Sequence, residues 1–317
     1  MSIPTVPGHG RSAPEPSAVA GERRQLLNIA YRLLGSLAEA EDAVQETYAR
    51  WYALSPERRE AVVSPGAWLT KVAGRVCLDV LGSARVRRER YVGTWIPEPL
   101  PDRADREGVR TDGEGAAPTD PADRITLDES VSMAFLVVLE SMTPAERVAF
   151  ILHDVFRYPF GEMADILGRS PAACRQLASS GRRRVRAART PAVPAVRQAA
   201  LLREFKEAWE ARNIRALVDL LDPDATLSAD GGGLVGAVLR PVRGSALIAQ
   251  YLVHIADKAP GLTLLERTVN GVPGLVAQHA GVTVTVAAFE LVEGRVARIW
   301  AVRNPEKLGP WTEGDRP

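Results

Sequence analysis

One predicted helix, which begins after Gly168-Arg169-Ser170, carries side chains suited to binding nucleic acid. Arginines form charge-assisted hydrogen bonds to phosphates, and polar side chains near the start of a helix can reach base edges in the major groove. The face with spacings of three and four consists of Arg175, Ser179, Arg182 and Arg186. The candidate contacts to duplex DNA are Arg175, Gln176, Ser179, Arg182 and Arg183. The alternative is a solvated helix end whose arginines complement the helix dipole.

The residues around this face indicate how it is positioned. Ser170 is a favourable N-cap and Pro171 suits the first helical position. The opposite face is expected to be buried and contains Cys174, Leu177, Gly181 and Val185. A tight turn, a capped second helix and a basic face together predict a helix-turn-helix within Met142–Arg189.

A second basic segment lies earlier, in a helix predicted to begin at Ser64-Pro65-Gly66. It interleaves an aromatic side chain with positive charge, which suits stacking on unpaired bases while following their phosphates. The residues are Trp68, Lys71, Arg75, Arg85, Arg87 and Arg88. Trp68 could equally belong to a hydrophobic core.

An acidic, amide-bearing helix face precedes that segment. Asp42, Gln45 and Glu46 lie outside the apolar stripe of the helix predicted over 38–52. The alternative is simple helix charge facing solvent.

The overall composition is that of an ordinary globular protein and not of a membrane protein. Of 317 residues, 46% are apolar and 25% charged, and the net charge is +1 because basic clusters are offset by acidic stretches at 102–129. Two cysteines and four scattered histidines suggest neither a disulfide framework nor a metal site, and no cofactor is expected. The sequence contains no apolar run of about 20 residues, so the cytoplasm is the expected compartment.

The C-terminal third follows a different pattern, which begins after the prolines at 191 and 194. Helices are predicted over 201–212, 214–221 and 246–256, with a turn at Asp222-Pro223-Asp224. Strands are predicted over 225–229, 262–269, 275–279, 282–291 and 295–302. Helices followed by an antiparallel sheet indicate an α+β domain.

These segments resemble bacterial RNA polymerase sigma factors of the extracytoplasmic-function (ECF) class, and the tail resembles NTF2-like, SnoaL-type cone folds. The motif Glu41-Asp42-Ala43-Val44-Gln45-Glu46 is similar to the part that contacts core RNA polymerase. The resemblance implies that the first basic helix engages the melted −10 region and that the helix-turn-helix addresses the −35 duplex. Val76 stands where the family often has Asn.

Within that class, the chain resembles the group with a fused SnoaL-like tail. Three motifs carry this resemblance: Trp95-Ile96-Pro97-Glu98-Pro99, Asp230-Gly231-Gly232-Gly233 and Asn304-Pro305-Glu306-Lys307-Leu308. Leu234 and Glu306 replace the usual Lys and Asp. The resemblance implies that the tail folds against the sigma domains and regulates them in cis. The residues expected to form that contact are Trp95, Pro97, Glu98, Pro99, Asp230, Gly231, Gly232, Asn304, Pro305, Lys307 and Leu308.

The predicted layout is two all-α sigma domains followed by an α+β NTF2-like domain. It comprises a disordered segment 1–20, region 2 at 21–92, a linker at 93–124, region 4 at 125–190 and the tail domain at 198–317. The expected partners are core RNA polymerase, promoter DNA, the tail itself and a small-molecule ligand in the cone-fold pocket.

Three alternatives remain open at this point. One is a plain helix-turn-helix regulator. Another is an enzymatic tail, whose acid–base candidates are Asp230, His254, His279 and Glu290. The third keeps the sigma role but makes the tail a ligand sensor that binds a small molecule without converting it.

Overall fold

The computed structural model describes residues 21–89, 91–101, 132–188 and 193–312. The segment predicted to be disordered, most of the linker and the predicted start of the second helical domain lie outside these residues. The predicted domain boundaries therefore remain predictions.

The first helical unit contains four helices. They are α1 (Glu22–Leu34), α2 (Leu37–Tyr52), α3 (Pro56–Glu60) and α4 (Pro65–Glu89). Gly35 ends α1 in the left-handed conformation at φ 71°, as its position after the apolar stripe predicts. Ser36 then caps α2 by accepting a hydrogen bond from the Glu39 amide. A single left-handed glycine followed by a cap thus turns the chain sharply between two packed helices.

The second helical unit contains the predicted helix-turn-helix. Its elements are α5 (Met133–Glu140), α6 (Pro144–Phe150), a π-helical turn (Ile151–Val155), α7 (Phe160–Leu167) and α8 (Pro171–Ala188). Thr143 and Glu146 form a reciprocal capping box at the start of α6. Gly168 adopts a φ of 61°, and the Ser170 hydroxyl accepts from the Ala173 amide over 3.2 Å. The predicted turn and cap of α8 are therefore confirmed.

The two helical units share one hydrophobic core. Buried side chains from α1, α2 and α4 form a contiguous cluster with those of α6, α7 and α8. The buried guanidinium of Arg147 connects the units, since it donates to the Leu33 carbonyl over 2.9 Å and pairs with Glu140 at 2.6 Å. The Tyr158 hydroxyl likewise donates to Thr70 over 2.7 Å. The units consequently pack as one helical body.

The C-terminal domain has the predicted α+β layout. Its elements are α9 (Ala195–Glu210), α10 (Ile214–Leu220), β1 (Leu221–Asp230), β2 (Val242–Arg243), α11 (Ser245–Lys258), β3 (Leu262–Val269), β4 (Val272–His279), β5 (Val282–Val292), β6 (Arg295–Val302), a 3₁₀ turn (Pro305–Lys307) and α12 (Gly309–Thr312). The strand order is β2-β1-β6-β5-β4-β3. Only the β1–β6 pair, among the described strands, runs parallel.

The predicted position of one turn is wrong. Asp222–Asp224 lies inside β1, where the register with β6 shifts between Leu221 and Thr226. The Asp222 carboxylate accepts from the Asp224 amide over 2.8 Å, so the local turn is absorbed as an irregularity of the strand. The strand is longer than predicted because pairing with β6 continues on both sides of this irregularity.

The two faces of the sheet contact different parts of the chain. One face packs on α9, α10 and α11 and forms the core of the C-terminal domain. The other face carries Val286, Trp300 and Val302, which pack with Ile96 of the linker and Met133 of α5. Side chains alternate along a strand, so neighbouring residues of β1 and β6 point to the domain core and to the sigma units in turn.

Candidate nucleic-acid interfaces and regulatory contact

Helix α8 exposes most of its predicted DNA-binding face. Arg175, Gln176 and Arg183 are exposed, whereas Ser179 and Arg182 are half-buried. Arg182 pairs with Asp154 at 3.0 Å, and the Arg175 guanidinium lies 5.3 Å from the Phe160 ring centre. The exposed side chains could address a duplex without any change in the helix, while Arg182 would first have to leave Asp154.

The buried face of α8 differs slightly from the prediction. Cys174, Ala178 and Gly181 are buried, while Leu177 and Val185 are only half-buried. The helix approaches α6 so closely that a Cβ on Gly181 would lie 2.8 Å from the Phe150 Cβ. Small residues therefore define the contact, because they allow the backbones to approach.

The predicted −10 residues on α4 contact the helix-turn-helix. Lys71 pairs with the Asp165 carboxylate of α7 at 2.6 Å, and Arg75 donates to the Asp165 carbonyl over 2.6 Å. The Lys71 ammonium lowers the pKa of Asp165 by hydrogen bonding and by its charge. Trp68 is half-buried and packs edge-on against Trp51, with ring centres 5.1 Å apart. One side of Trp68 thus belongs to the core, and its role in stacking on unpaired bases stays a prediction.

The remaining predicted −10 residues, Arg85, Arg87 and Arg88, lie on α4 near its end. Their side chains lie outside the described part of the structure. Helix α7 covers the basic face near Gly74, where a Cβ would lie 3.0 Å from Ile166. In this arrangement the described part of the predicted −10 face is covered by the protein itself.

The acidic face of α2 is open to solvent. Asp42, Gln45 and Glu46 are all exposed, and Glu46 pairs with Arg50 at 2.9 Å. The buried side of the same helix contains Ala43, Val44 and Thr47. One face of α2 thus packs in the core, and the opposite face, which carries the acidic residues, is accessible to a partner.

Asp230 is the centre of the contact between the tail and the linker. Its side chain is fully buried, and Oδ2 accepts from the Ile96 amide over 2.9 Å and from Lys307 Nζ over 2.8 Å. Oδ1 accepts from the Tyr91 hydroxyl over 2.6 Å and from the Gly232 amide over 3.0 Å. Burial, followed by the nearby Asp230 carboxylate, raises the pKa of Tyr91, which favours the protonated, donating hydroxyl. Every oxygen of this buried carboxylate is therefore satisfied.

Lys307 completes the same cluster from the other side. Its ammonium also donates to the Ile96 carbonyl over 2.6 Å and lies 4.1 Å from the centre of the Trp95 ring. Leu234, which stands where the resembled motif carries Lys, is 61% exposed. The cation that pairs with Asp230 thus comes from the Asn304–Leu308 segment, and Leu308 itself is buried beside Ile96.

The glycines after Asp230 allow a second close approach. Gly232 has a φ of 66°, and a Cβ there would lie 2.6 Å from the Asn304 side chain. Asn304 donates to the Tyr91 hydroxyl over 3.0 Å, and its main-chain nitrogen donates to the Asp230 carbonyl over 2.9 Å. Pro305 begins the 3₁₀ turn that follows, which places Lys307. The three predicted motifs therefore meet at one place.

The linker segment also contacts the first helical unit. Glu98 Oε2 accepts from the Leu37 amide over 2.7 Å at the N-terminus of α2, and the Glu98 amide donates to the Gly35 carbonyl over 2.8 Å. The buried Tyr31 hydroxyl donates to the Glu98 carbonyl over 2.7 Å. Burial raises the pKa of Glu98, against the lowering effect of the Leu37 amide and the Ser36 hydroxyl, which both donate to its carboxylate. Pro97 packs near Gly35, so the linker seals the turn between α1 and α2.

Further along the linker, the tail continues the contact. Asn270 accepts from the Leu100 amide over 3.1 Å and donates to the Tyr31 hydroxyl over 2.9 Å. The Pro99 carbonyl accepts from the Trp311 indole over 2.8 Å. Sequence reasoning missed Tyr31, Tyr91, Asn270 and Trp311. Tyr91 could have been suspected from its place directly before the linker motif, whereas the other residues carried no local signal.

The acid–base candidates do not assemble in the cavity of the C-terminal domain. Of Asp230, His254, His279 and Glu290, only His279 lines it. Asp230 points to the linker, and Glu290 pairs with Arg298. Across the described ranges there is no group of three or more metal-ligating side chains and no helix long and apolar enough to cross a membrane.

Comparisons with known proteins agree with this geometry. The Sigma-70 region 2 model matches residues 19–90, and the Sigma-70 region 4 model matches residues 132–185. The ECF RNA polymerase sigma factor SigJ of Mycobacterium tuberculosis is 36% identical over 301 residues, covering 90% of each chain. SigI, a probable ECF sigma factor of the same species, is 31% identical and covers 94% of this chain and 96% of its own. The crystal structure of M. tuberculosis SigJ has a TM-score of 0.71 and 33% identity, covering 93% of this chain and 99% of that chain.

The fold and these relatives define an RNA polymerase sigma factor with an appended α+β domain. The chain belongs to the ECF sigma factor family. The resemblance inferred from the sequence motifs is confirmed, and a plain helix-turn-helix regulator is not favoured.

Proposed function

We propose that this sigma factor directs core RNA polymerase to promoters and that its C-terminal domain holds it in a closed, less active arrangement. The observation that carries the proposal is the position of the linker motif. Asp230 and Lys307 bind Ile96 on the tail side, while Glu98 binds the start of α2 on the sigma side. Because one short segment makes both contacts, release of the tail would also alter the start of the helix proposed to bind polymerase.

The proposed roles come from the resemblance to sigma factors, and exposure and charge support them. Asp42, Gln45 and Glu46 would bind core polymerase through their exposed face. Trp68, Lys71 and Arg75, with Arg85, Arg87 and Arg88, would engage the melted −10 strand. Arg175, Gln176, Ser179, Arg182 and Arg183 would address the −35 duplex.

The closed arrangement conflicts with some of these proposed binding roles. Lys71 and Arg75 of the first helical unit contact Asp165 of the second. A bound partner shifts an equilibrium toward the state that it binds better. Polymerase and promoter would therefore favour separation of the two helical units, and a docked tail would oppose it.

In-vitro transcription with core polymerase and a randomised promoter library tests the proposal. The wild-type chain should yield promoter-specific transcripts, the Lys307→Met variant should yield more, and a truncation at about residue 191 should also change the yield. Asp42→Ala/Glu46→Ala should lose polymerase capture, whereas Glu60→Ala, an exposed acid on α3, should not. Site-specific DNA binding without polymerase, and no transcripts from any variant, would overturn the sigma role and favour a helix-turn-helix regulator.

A further inference from the structure

The C-terminal domain contains a cavity of about 620 Å³ between one face of the sheet and helices α9 and α11. Cavities of roughly 300–1,000 Å³ are typical of small-molecule sites. Phe205 and Trp209 of α9 and Phe289 of β5 provide apolar walls. The cavity therefore offers the surface needed to bury an aromatic or aliphatic body.

Three alanines in adjacent strands create the space. Ala229 of β1 is in register with Ala301 of β6, and Ala301 is in register with Ala287 of β5. All three line the cavity. Because alanine side chains are small, this row across three strands leaves space above the sheet. The larger Leu227 and Ile299 on the same face help fill the core. Replacing one member of the row with a larger side chain would fill the cavity.

The basic side chains of the cavity lining have no acidic counterpart within it. Lys258, His279 and Arg303 can carry positive charge, and the lining residues include no Asp or Glu. Lys258 and His279 are exposed, so they lie at the rim, while Arg303 is half-buried. Burial raises the pKa of Tyr251, against the influence of Arg303, which favours a neutral hydroxyl able to donate. The cavity consequently complements negative charge.

We infer that this cavity binds a small, largely apolar molecule that carries one anionic end. The apolar body would lie over the alanine row, and the anionic group would meet Arg303. Arg303 already donates to the Gly236 carbonyl, and a guanidinium has five N–H donors, so further donors are available for a ligand oxygen. The lining residues include no Asp or Glu, so no negatively charged side chain of the lining would repel the anionic end of the ligand.

Arg303 also connects the cavity to the regulatory contact. Its main-chain nitrogen donates to the Asp230 carbonyl over 2.7 Å, and its side chain anchors Gly236 in the loop that follows Asp230. A ligand that draws the guanidinium into the cavity would loosen that loop, which directly follows Asp230. This consequence rests on the proposed function, whereas the binding site does not.

Isothermal titration calorimetry on the full-length chain tests the site with two probes of one shape, 2-naphthoate and the neutral naphthalene-2-methanol. Naphthoate should bind about tenfold more tightly, because a charge-assisted hydrogen bond distinguishes the probes. Arg303→Gln should remove that preference and leave alcohol binding unchanged. Arg295→Gln, which changes an exposed arginine at the start of β6, should change neither. Ala301→Leu should weaken both probes while thermal melting shows that the domain remains folded.

The contrary outcomes are distinct. Absence of binding, equal binding of both probes, or equal losses in Arg303→Gln and Arg295→Gln would overturn the site. If Ala301→Leu unfolds the domain, the Arg303→Gln and Arg295→Gln comparison still decides. Naphthoate that binds but leaves transcription unchanged would overturn the link to regulation alone. Calorimetry uses no polymerase, so failure of the proposed function would not be mistaken for failure of the site.

Discussion

The Asp230 carboxylate and the Lys307 ammonium lie 2.8 Å apart in a buried pair on the face of the sheet that meets the linker. They come from the end of β1 and from the 3₁₀ turn after β6. Both also bind the main chain of Ile96, one at its amide and the other at its carbonyl. The pair therefore binds a segment outside its own domain, and its hydrogen bonds to Ile96 exist only while that segment is docked.

Removal of one partner from this pair should lower the free energy of unfolding more than removal of both partners does. Lys307→Met should lower the free energy of unfolding by about 3 kcal/mol, because it leaves a buried carboxylate without its cation. Adding Asp230→Asn should recover part of that loss. Urea denaturation of the two single variants and the double variant gives the coupling energy. Asp257→Asn breaks the more exposed Arg212–Asp257 pair and should cost at most about 1 kcal/mol. Additive losses at Asp230 and Lys307 would contradict the coupling.

Gly232→Ala should release the tail from the linker. The new Cβ would lie 2.6 Å from Asn304 and would also occupy a left-handed backbone. Hydrogen–deuterium exchange of the Ile96 amide should rise in this variant. Gly281→Ala is the matched control, because its φ is +79° with no neighbouring atom within 4 Å. That variant should show backbone strain alone, of about 1 kcal/mol, without faster exchange at Ile96. Equal exchange in both variants would mean that the close approach to Asn304 is unimportant.

Glu98 should make the docked linker sensitive to pH. Burial raises the folded-state pKa of Glu98 above its ordinary value of 4.5, so the folded protein holds this proton more tightly than the unfolded chain does. The stabilisation from this group is therefore fully present below pH 4.5 and is lost as pH rises through the raised pKa. Glu98→Gln should flatten the pH dependence of unfolding above pH 4.5. Denaturation curves that remain parallel for the two proteins would contradict this prediction.

Asp165→Ala should release Lys71 on the predicted −10 face from its ion pair. The variant removes the carboxylate that pairs with Lys71, so a fluorescent single-stranded oligonucleotide should bind about two- to fivefold more tightly in low salt. The gain should shrink as salt rises, since the contact is exposed. Glu162→Ala changes the charge of the same helix at another exposed position and serves as the control. An equal gain from both variants would indicate a general charge effect.

Two glycine substitutions should act in opposite directions. Gly181→Ala should destabilise the protein by about 1–3 kcal/mol, because α8 would have to move away from Phe150. Gly82→Ala should stabilise it by about 0.5–1 kcal/mol, since a Cβ there meets nothing within 4 Å on the helix α4. Thermal and urea denaturation measure both. Destabilisation by Gly82→Ala would show that this position has a contact that the packing does not reveal.

The sequence by itself determined the elements with local signals. Gly35, Ser36 and Ser170 mark helix ends through cap chemistry, and the Val-rich alternation after Gly261 predicts the strands. It also determined the family, because the acidic, basic and linker motifs occur in order. These features depend on neighbours along the chain, so a pattern is sufficient to predict them.

Tertiary structure alone decided what the motifs contact. Tyr31 and Asn270 are 239 positions apart yet share a hydrogen bond beneath the linker, and no spacing could indicate this. Lys71 meets Asp165, 94 positions later, so the predicted −10 face is covered by a helix that the sequence predicts only as part of the helix-turn-helix. Strand register likewise settled which of Asp230, His279 and Glu290 faces the cavity, whereas His254 lies on helix α11. Long-range pairing and register depend on the whole packed chain, and a one-residue change of register would move the side chains of a strand to the opposite face of the sheet.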